Sequence, residues 1–149
     1  MSFLRYVVSV SISNSTSCSH SLQHFNDDVV DVVSLFNRML RNKPTPPAIE
    51  FGKILGSLVK DKLYSIVVSL SHQMELTRVT PDFVTYNTLM NSLCHLGHIT
   101  FSFSILEKIL KRGYRPNAIT LTTIIKGLCL KGHLHQALQF HDNVLAHRY

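Results

Sequence analysis

Apolar side chains in this sequence recur three and four residues apart. Between Phe83 and Leu96 they fall at Tyr86, Leu89, Met90, Leu93 and Leu96, the spacing that lines one side of a helix. Asp82 stands just before the run, where its carboxylate can accept from free backbone N–H groups of the first turn. Gly97 follows it, and a residue without Cβ suits the left-handed position that closes a helix. A second run carries Leu106, Ile109 and Leu110. It ends in Lys111 and Arg112, whose charges suit the negative end of the helix dipole. Gly113 and Pro116 close it. The pattern predicts two helices between residues 83 and 117.

The plan repeats. Pro81-Asp82-Phe83-Val84-Thr85-Tyr86-Asn87-Thr88-Leu89-Met90 returns, blurred, as Pro116-Asn117-Ala118-Ile119-Thr120-Leu121-Thr122-Thr123-Ile124-Ile125. It stands earlier as Pro46-Pro47-Ala48-Ile49-Glu50-Phe51-Gly52-Lys53-Ile54-Leu55. Pro46, Pro81 and Pro116 keep a 35-residue period, as do Leu58, Leu93 and Leu128. Thr85/Thr120, Thr88/Thr123, Cys94/Cys129, Gly97/Gly132, His98/His133, Leu110/Leu145 and Tyr114/Tyr149 are identical pairs in that register. A fixed period of this size marks a stacked solenoid, because so short a unit cannot bury its apolar faces without neighbours. The expected fold is all-α: an α-solenoid of stacked helix-turn-helix repeats at 48–82, 83–117 and 118–149.

Before the first unit, Val29, Val32, Val33, Phe36, Met39 and Leu40 make one more helical stripe, and Leu35 shares a column with Leu70, Ile105 and Phe140. Residues 27–47 are therefore expected to form a degenerate capping helix, ended by Pro44-Thr45-Pro46-Pro47 because prolines cannot continue it. The last unit stops three residues short of 35 and no polar capping helix follows. That is the pattern of a truncated array, an N-terminal fragment.

Val84-Thr85-Tyr86-Asn87-Thr88-Leu89, then Leu93-Cys94 and Gly97, then Gly113 through Arg115-Pro116-Asn117, resemble a plant pentatricopeptide repeat of the P class. The resemblance covers roughly residues 28–149. Val68-Ser69-Leu70-Ser71-His72-Gln73-Met74 is similar to the first repeats of restorer-of-fertility-like members.

The resemblance implies a module that binds single-stranded organellar RNA, one base per unit. With Phe83 as the first residue of its unit, base choice falls to the fifth and last residues, and the second packs on the base. Carried over, Ile49, Val84 and Ile119 are the packing residues. Asn87 with Asn117 resembles a pyrimidine reader, cytosine ahead of uracil; an amide can donate to and accept from a base edge. Thr122 resembles a purine reader whose partner would stand at position 152. Asp82 holds the last place of the 48–82 unit, but its partner Gly52 offers no amide or hydroxyl, so that unit is expected to read no base. The competing reading makes Asn87 and Thr122 first-turn residues tolerated by solvent. Base contacts of this sort contribute about 1–3 kcal/mol each. Two or three, less the cost of association, imply binding no tighter than about micromolar to millimolar.

Composition adds little that conflicts. The chain has 149 residues, 45% hydrophobic and 16% charged, with a net charge of +6 that permits a polyanionic partner. No apolar run approaches the roughly 18 residues of a membrane span. Residues 1–26 contain Arg5, many serines and no acidic residue, which fits a disordered leader acting as an organellar transit peptide. The resemblance points to mitochondria, with chloroplasts second. A secretory signal fits less well, since Tyr6–Ile12 is broken by serines and no small-x-small site follows.

Cys94…His98 and Cys129…His133 invite a metal reading. The repeat explains them better, because a cysteine packs readily in a helix interface and two such pairs would have to converge on one ion. No cofactor or metal is expected. Nothing fixes a nucleophile beside a base and no glycine-rich phosphate loop occurs, so the chain is read as not an enzyme. Two alternatives stand beside RNA binding. A tetratricopeptide-like protein-binding repeat has a 34-residue period and a Trp/Leu/Gly/Tyr pattern; tryptophan is absent here. A nonfunctional remnant would leave Leu138 and Leu145 uncovered, open to aggregation or to other proteins through the uncapped C-terminal helix.

Overall fold

A computed structural model describes residues 21–147, whose regular elements are all helical. They are α1 Ser21–Arg41, α2 Ala48–Lys60, α3 Tyr64–Leu76, α4 Phe83–His95, α5 Ile99–Lys111, α6 Ala118–Leu130 and α7 Leu134–His147. The fold is all-α, as the period implies, and successive helices pack as hairpins: α2 with α3, α4 with α5, α6 with α7. The chain divides between Thr80 and Pro81 into two compact units.

The first unit is built on α1, α2 and α3. Phe36 is fully buried and meets Phe51 edge-on, with ring centroids 5.1 Å apart at 72°, a favoured aromatic geometry. Leu55, Leu58, Ile66, Val67, Leu70 and Met74 complete the core, and Val29, Val32, Val33, Met39 and Leu40 pack against it. Full burial of each such side chain contributes about 1.5–3 kcal/mol. The expected stripe on α1 is therefore its packed face. In the column that Leu35 shares with Leu70 and Ile105, those two are buried and Leu35 is exposed. Leu35 neighbours Phe36 and so points about 100° away from it on a helix of 3.6 residues per turn. Helix α1 also starts at Ser21, ahead of the expected boundary at Asp27. The rest of the expected leader, residues 1–20, lies outside the described residues.

Five helices end in the same hydrogen-bonded turn. After α4, His98 N–H donates to Leu93 O at 2.8 Å and Gly97 N–H to Cys94 O at 3.0 Å. This crossed pair is the Schellman motif and places its C′ residue in the left-handed region. Gly97, Gly113 and Gly132 have φ of 78°, 78° and 76°. The same crossed bonds close α2 at Lys62 and α3 at Arg78, with φ of 59° and 60°. Those residues hold the register of Gly97 and Gly113, one period earlier. At Gly97 the positive φ is the constraint, since the nearest atoms a Cβ would meet are the mobile far end of the Lys131 side chain.

In the second unit α4 and α6 lie side by side and run parallel. Near their starts Thr120 bonds to Asn87, and near their ends Gly127 meets Cys94. A Cβ on Gly127 would lie 2.5 Å from Cys94 Sγ, so only glycine lets the helices approach this closely. Tyr86, Leu89, Met90 and Leu93 are buried, as the periodicity predicts for α4. On α5 the buried line is Ser102, Ile105 and Ile109, while Leu110 is exposed. Ser102 is buried between α4 and α5 and accepts from the Cys94 thiol at 3.4 Å. Phe103 of α5 meets Phe140 of α7 edge-on at 5.8 Å.

Candidate nucleic-acid interface

The residues of interest gather at the starts of α4 and α6. Asp82 is the N-cap of α4 and accepts from Thr85 N–H at 2.8 Å. Asn117 is the N-cap of α6 and accepts from Thr120 N–H at 3.0 Å. Thr120 answers by accepting from Asn117 N–H at 3.4 Å, which completes a capping box. Helix α2 begins after Pro47, which makes no side-chain cap. The last residue of each unit is thus also the cap position of the next helix.

Val84 and Ile119 follow in the first turns. They are 64% and 66% exposed, so each leaves an aliphatic side chain in water beside a polar pair. Ile49, in the first unit, is 56% exposed at the matching position of α2. Thr122 is exposed on α6, and its hydroxyl donates to the carbonyl of Ala118 within the same helix. Gly52 brings no side chain to the place that Asn87 holds in its unit.

Asn87 is half-buried and makes two hydrogen bonds. Its Nδ2 donates to Phe83 O at 3.1 Å, and its Oδ1 accepts from the Thr120 hydroxyl at 2.8 Å. A carbonyl oxygen can only accept, so the bond to Phe83 fixes which end of the amide is nitrogen. These bonds use one of two donor hydrogens and one of two carbonyl lone pairs. Thr120 Oγ1 also lies 3.0 Å from Asn117 Oδ1. The two expected readers are therefore joined through one hydroxyl. Sequence reasoning missed this role of Thr120, although its identity with Thr85 at the repeat period was visible.

Residues 81–130 match a model of the PPR repeat family, and residues 119–147 match a model of the PPR repeat. The matches support a pentatricopeptide repeat protein. Both fall on the second unit, where Asn87, Asn117 and Thr122 stand. Pentatricopeptide repeats are generally non-enzymatic, RNA-binding helical modules. No curated protein matches the chain.

The cysteines of the α4–α5 and α6–α7 hairpins sit in unlike surroundings. Cys94 is buried and Cys129 exposed. Burial pushes the Cys94 thiol up, against opposing pulls from its bond with Ser102 and from the charge of Lys126. No group of three or more His, Cys, Asp or Glu that could hold a metal ion occurs among the described residues. No helix among them is long and apolar enough to cross a membrane.

Proposed function

We propose that this chain binds single-stranded organellar RNA through the starts of α4 and α6. Asn87 and Asn117 address a pyrimidine, and Val84 and Ile119 press on the faces of neighbouring bases. One observation carries the reading: two exposed aliphatic side chains at one repeat register flank a hydrogen-bonded Asn87–Thr120–Asn117 group. Base faces are apolar and their edges are polar, so this juxtaposition suits them. The net charge of +6 favours the phosphate backbone. Thr122 addresses a purine next to the pyrimidine. Asp82 acts as a cap, and the unit that it closes contributes only the packing of Ile49. The site of action is the mitochondrion, through RNA processing, stability or translation by occupancy. This part rests on the acid-free, serine-rich leader and the plant, P-class and restorer-like resemblance.

Fluorescence anisotropy with short single-stranded RNA tests the reading. Binding of a pyrimidine strand in the micromolar to millimolar range, weakened by Asn87→Ala and by Val84→Asp, supports it. Equal binding by both variants contradicts it.

A second reading has its own observation. Leu134, Leu138 and Leu145 are each more than half exposed on α7, and a contact with another protein would cover them.

A further inference from the structure

We propose that Thr120 is a positioning residue that holds the Asn87 amide in one orientation and thereby lets the site tell cytosine from uracil. The specificity role rests on the RNA-binding reading above; the positioning role does not.

Thr120 is fully buried, and its hydroxyl carries a single hydrogen. Two oxygens that can only accept face it, Asn87 Oδ1 at 2.8 Å and Asn117 Oδ1 at 3.0 Å. The shorter contact assigns the hydrogen to Asn87. The hydroxyl's lone pairs face the N–H of Asn117 at 3.4 Å, and the backbone N–H of Thr120 holds Asn117 Oδ1. One residue thus anchors both amides, from a helix other than the one that carries Asn87. The far end of the Asn87 amide is tied to Phe83 O at 3.1 Å. Rotating the amide by half a turn would set its N–H₂ against the Thr120 hydroxyl and its oxygen against the Phe83 carbonyl. Two oxygens would then face each other, so the flip is disfavoured.

The consequence for a base is chemical. Cytosine offers an acceptor at N3, where uracil offers a donor. An amide free to flip satisfies either by exchanging its two ends. An amide held at both ends presents one donor and one lone pair in a fixed order, and only one of the two pyrimidines meets that order without shifting. Thr85 shows what the same residue does without such a partner. It is also fully buried, and its hydroxyl has no hydrogen-bond partner among the described residues.

The test uses the full chain with Thr120→Val, which keeps the shape and removes the hydroxyl, and Thr120→Ser, which keeps the hydroxyl. Circular dichroism checks that both remain helical. Without RNA, the side-chain N–H₂ resonances of Asn87 should move and sharpen in Thr120→Val and stay near their places in Thr120→Ser. With RNA, two strands differing only by cytosine or uracil at one position should bind the unaltered chain with affinities about 2- to 10-fold apart, the value of one hydrogen bond. That ratio should fall toward one in Thr120→Val and survive in Thr120→Ser. Unmoved Asn87 resonances in Thr120→Val overturn the positioning role. A ratio that persists in Thr120→Val while both affinities fall together overturns the specificity role. If the unaltered chain binds neither strand, the RNA-binding reading and the specificity role fall, and the spectra alone decide the positioning role.

Discussion

The repeat at 48–82 and the repeat at 83–117 share a backbone plan but differ in the side chains that serve it. Both close their helices with the same crossed hydrogen bonds. The later repeat does so at Gly97 and Gly113, the earlier at Lys62 and Arg78, which must adopt positive φ with a side chain attached. The first helix of the later repeat, α4, is capped by the aspartate just before it, whereas α2 of the earlier repeat follows a proline with no side-chain cap. The later repeat carries Asn87, held at both ends; the earlier carries Gly52 at the same register. The difference teaches that the scaffold survives where the chemistry does not. Backbone hydrogen bonds and apolar burial maintain the hairpin, whereas the polar group at the helix start depends on single side chains.

The largest expected effect sharpens this contrast at the two threonines. Thr120→Val strips a bonded hydroxyl and leaves the Asn87 oxygen and the Asn117 N–H without that partner. A loss of about 1–3 kcal/mol is expected. Thr85→Val removes a buried hydroxyl that has no partner, so its expected change is neutral to a gain of about 1 kcal/mol. Urea unfolding of both variants reads the two signs. Losses of equal size would break the comparison.

A smaller effect lies in the closing turns. Left-handed backbone costs a residue with Cβ about 1–2 kcal/mol. Gly97→Lys should lose about that much, because its φ of 78° stays in the left-handed region and the end of Lys131 can swing aside. Lys62→Gly and Arg78→Gly should each gain up to about 1 kcal/mol, part of the relief being offset by glycine's greater freedom when unfolded. Thermal unfolding of the three variants measures this. Destabilisation by Lys62→Gly would show that its side chain contributes more than its backbone strain costs.

Much of the fold was legible because its signals are local. The stripe on α4, the cap at Asp82 and the stops at Gly97, Gly113 and Gly132 depend on residues within a few positions of one another. The turns at Lys62 and Arg78 carry no such mark, because tertiary packing and crossed hydrogen bonds impose a conformation that these residue types do not prefer. In the column through Leu35, α1 departs from the later helices, because it buries the neighbouring line through Phe36. At the candidate site, Val84, Ile119, Asn87 and Asn117 were named by the resemblance to pentatricopeptide repeats, and Val84 and Ile119 are exposed in the structure. The bond between Asn87 and Thr120 was not legible. It joins side chains 33 residues apart on different helices, and Thr85 is identical to Thr120 yet makes no such bond. Identity at a register reports a shared backbone position, whereas the hydrogen bond depends on what stands opposite.

The most direct test of the central claim, that the starts of α4 and α6 form the RNA-binding surface, is a titration of the isotope-labelled chain with a short single-stranded pyrimidine RNA, followed by NMR. The account predicts that the methyl signals of Val84 and Ile119 and the side-chain amide signals of Asn87 and Asn117 shift together and saturate together, while those of Leu134, Leu138 and Leu145 on α7 stay in place. Saturable shifts confined to α7, or none at all at millimolar RNA, would contradict it.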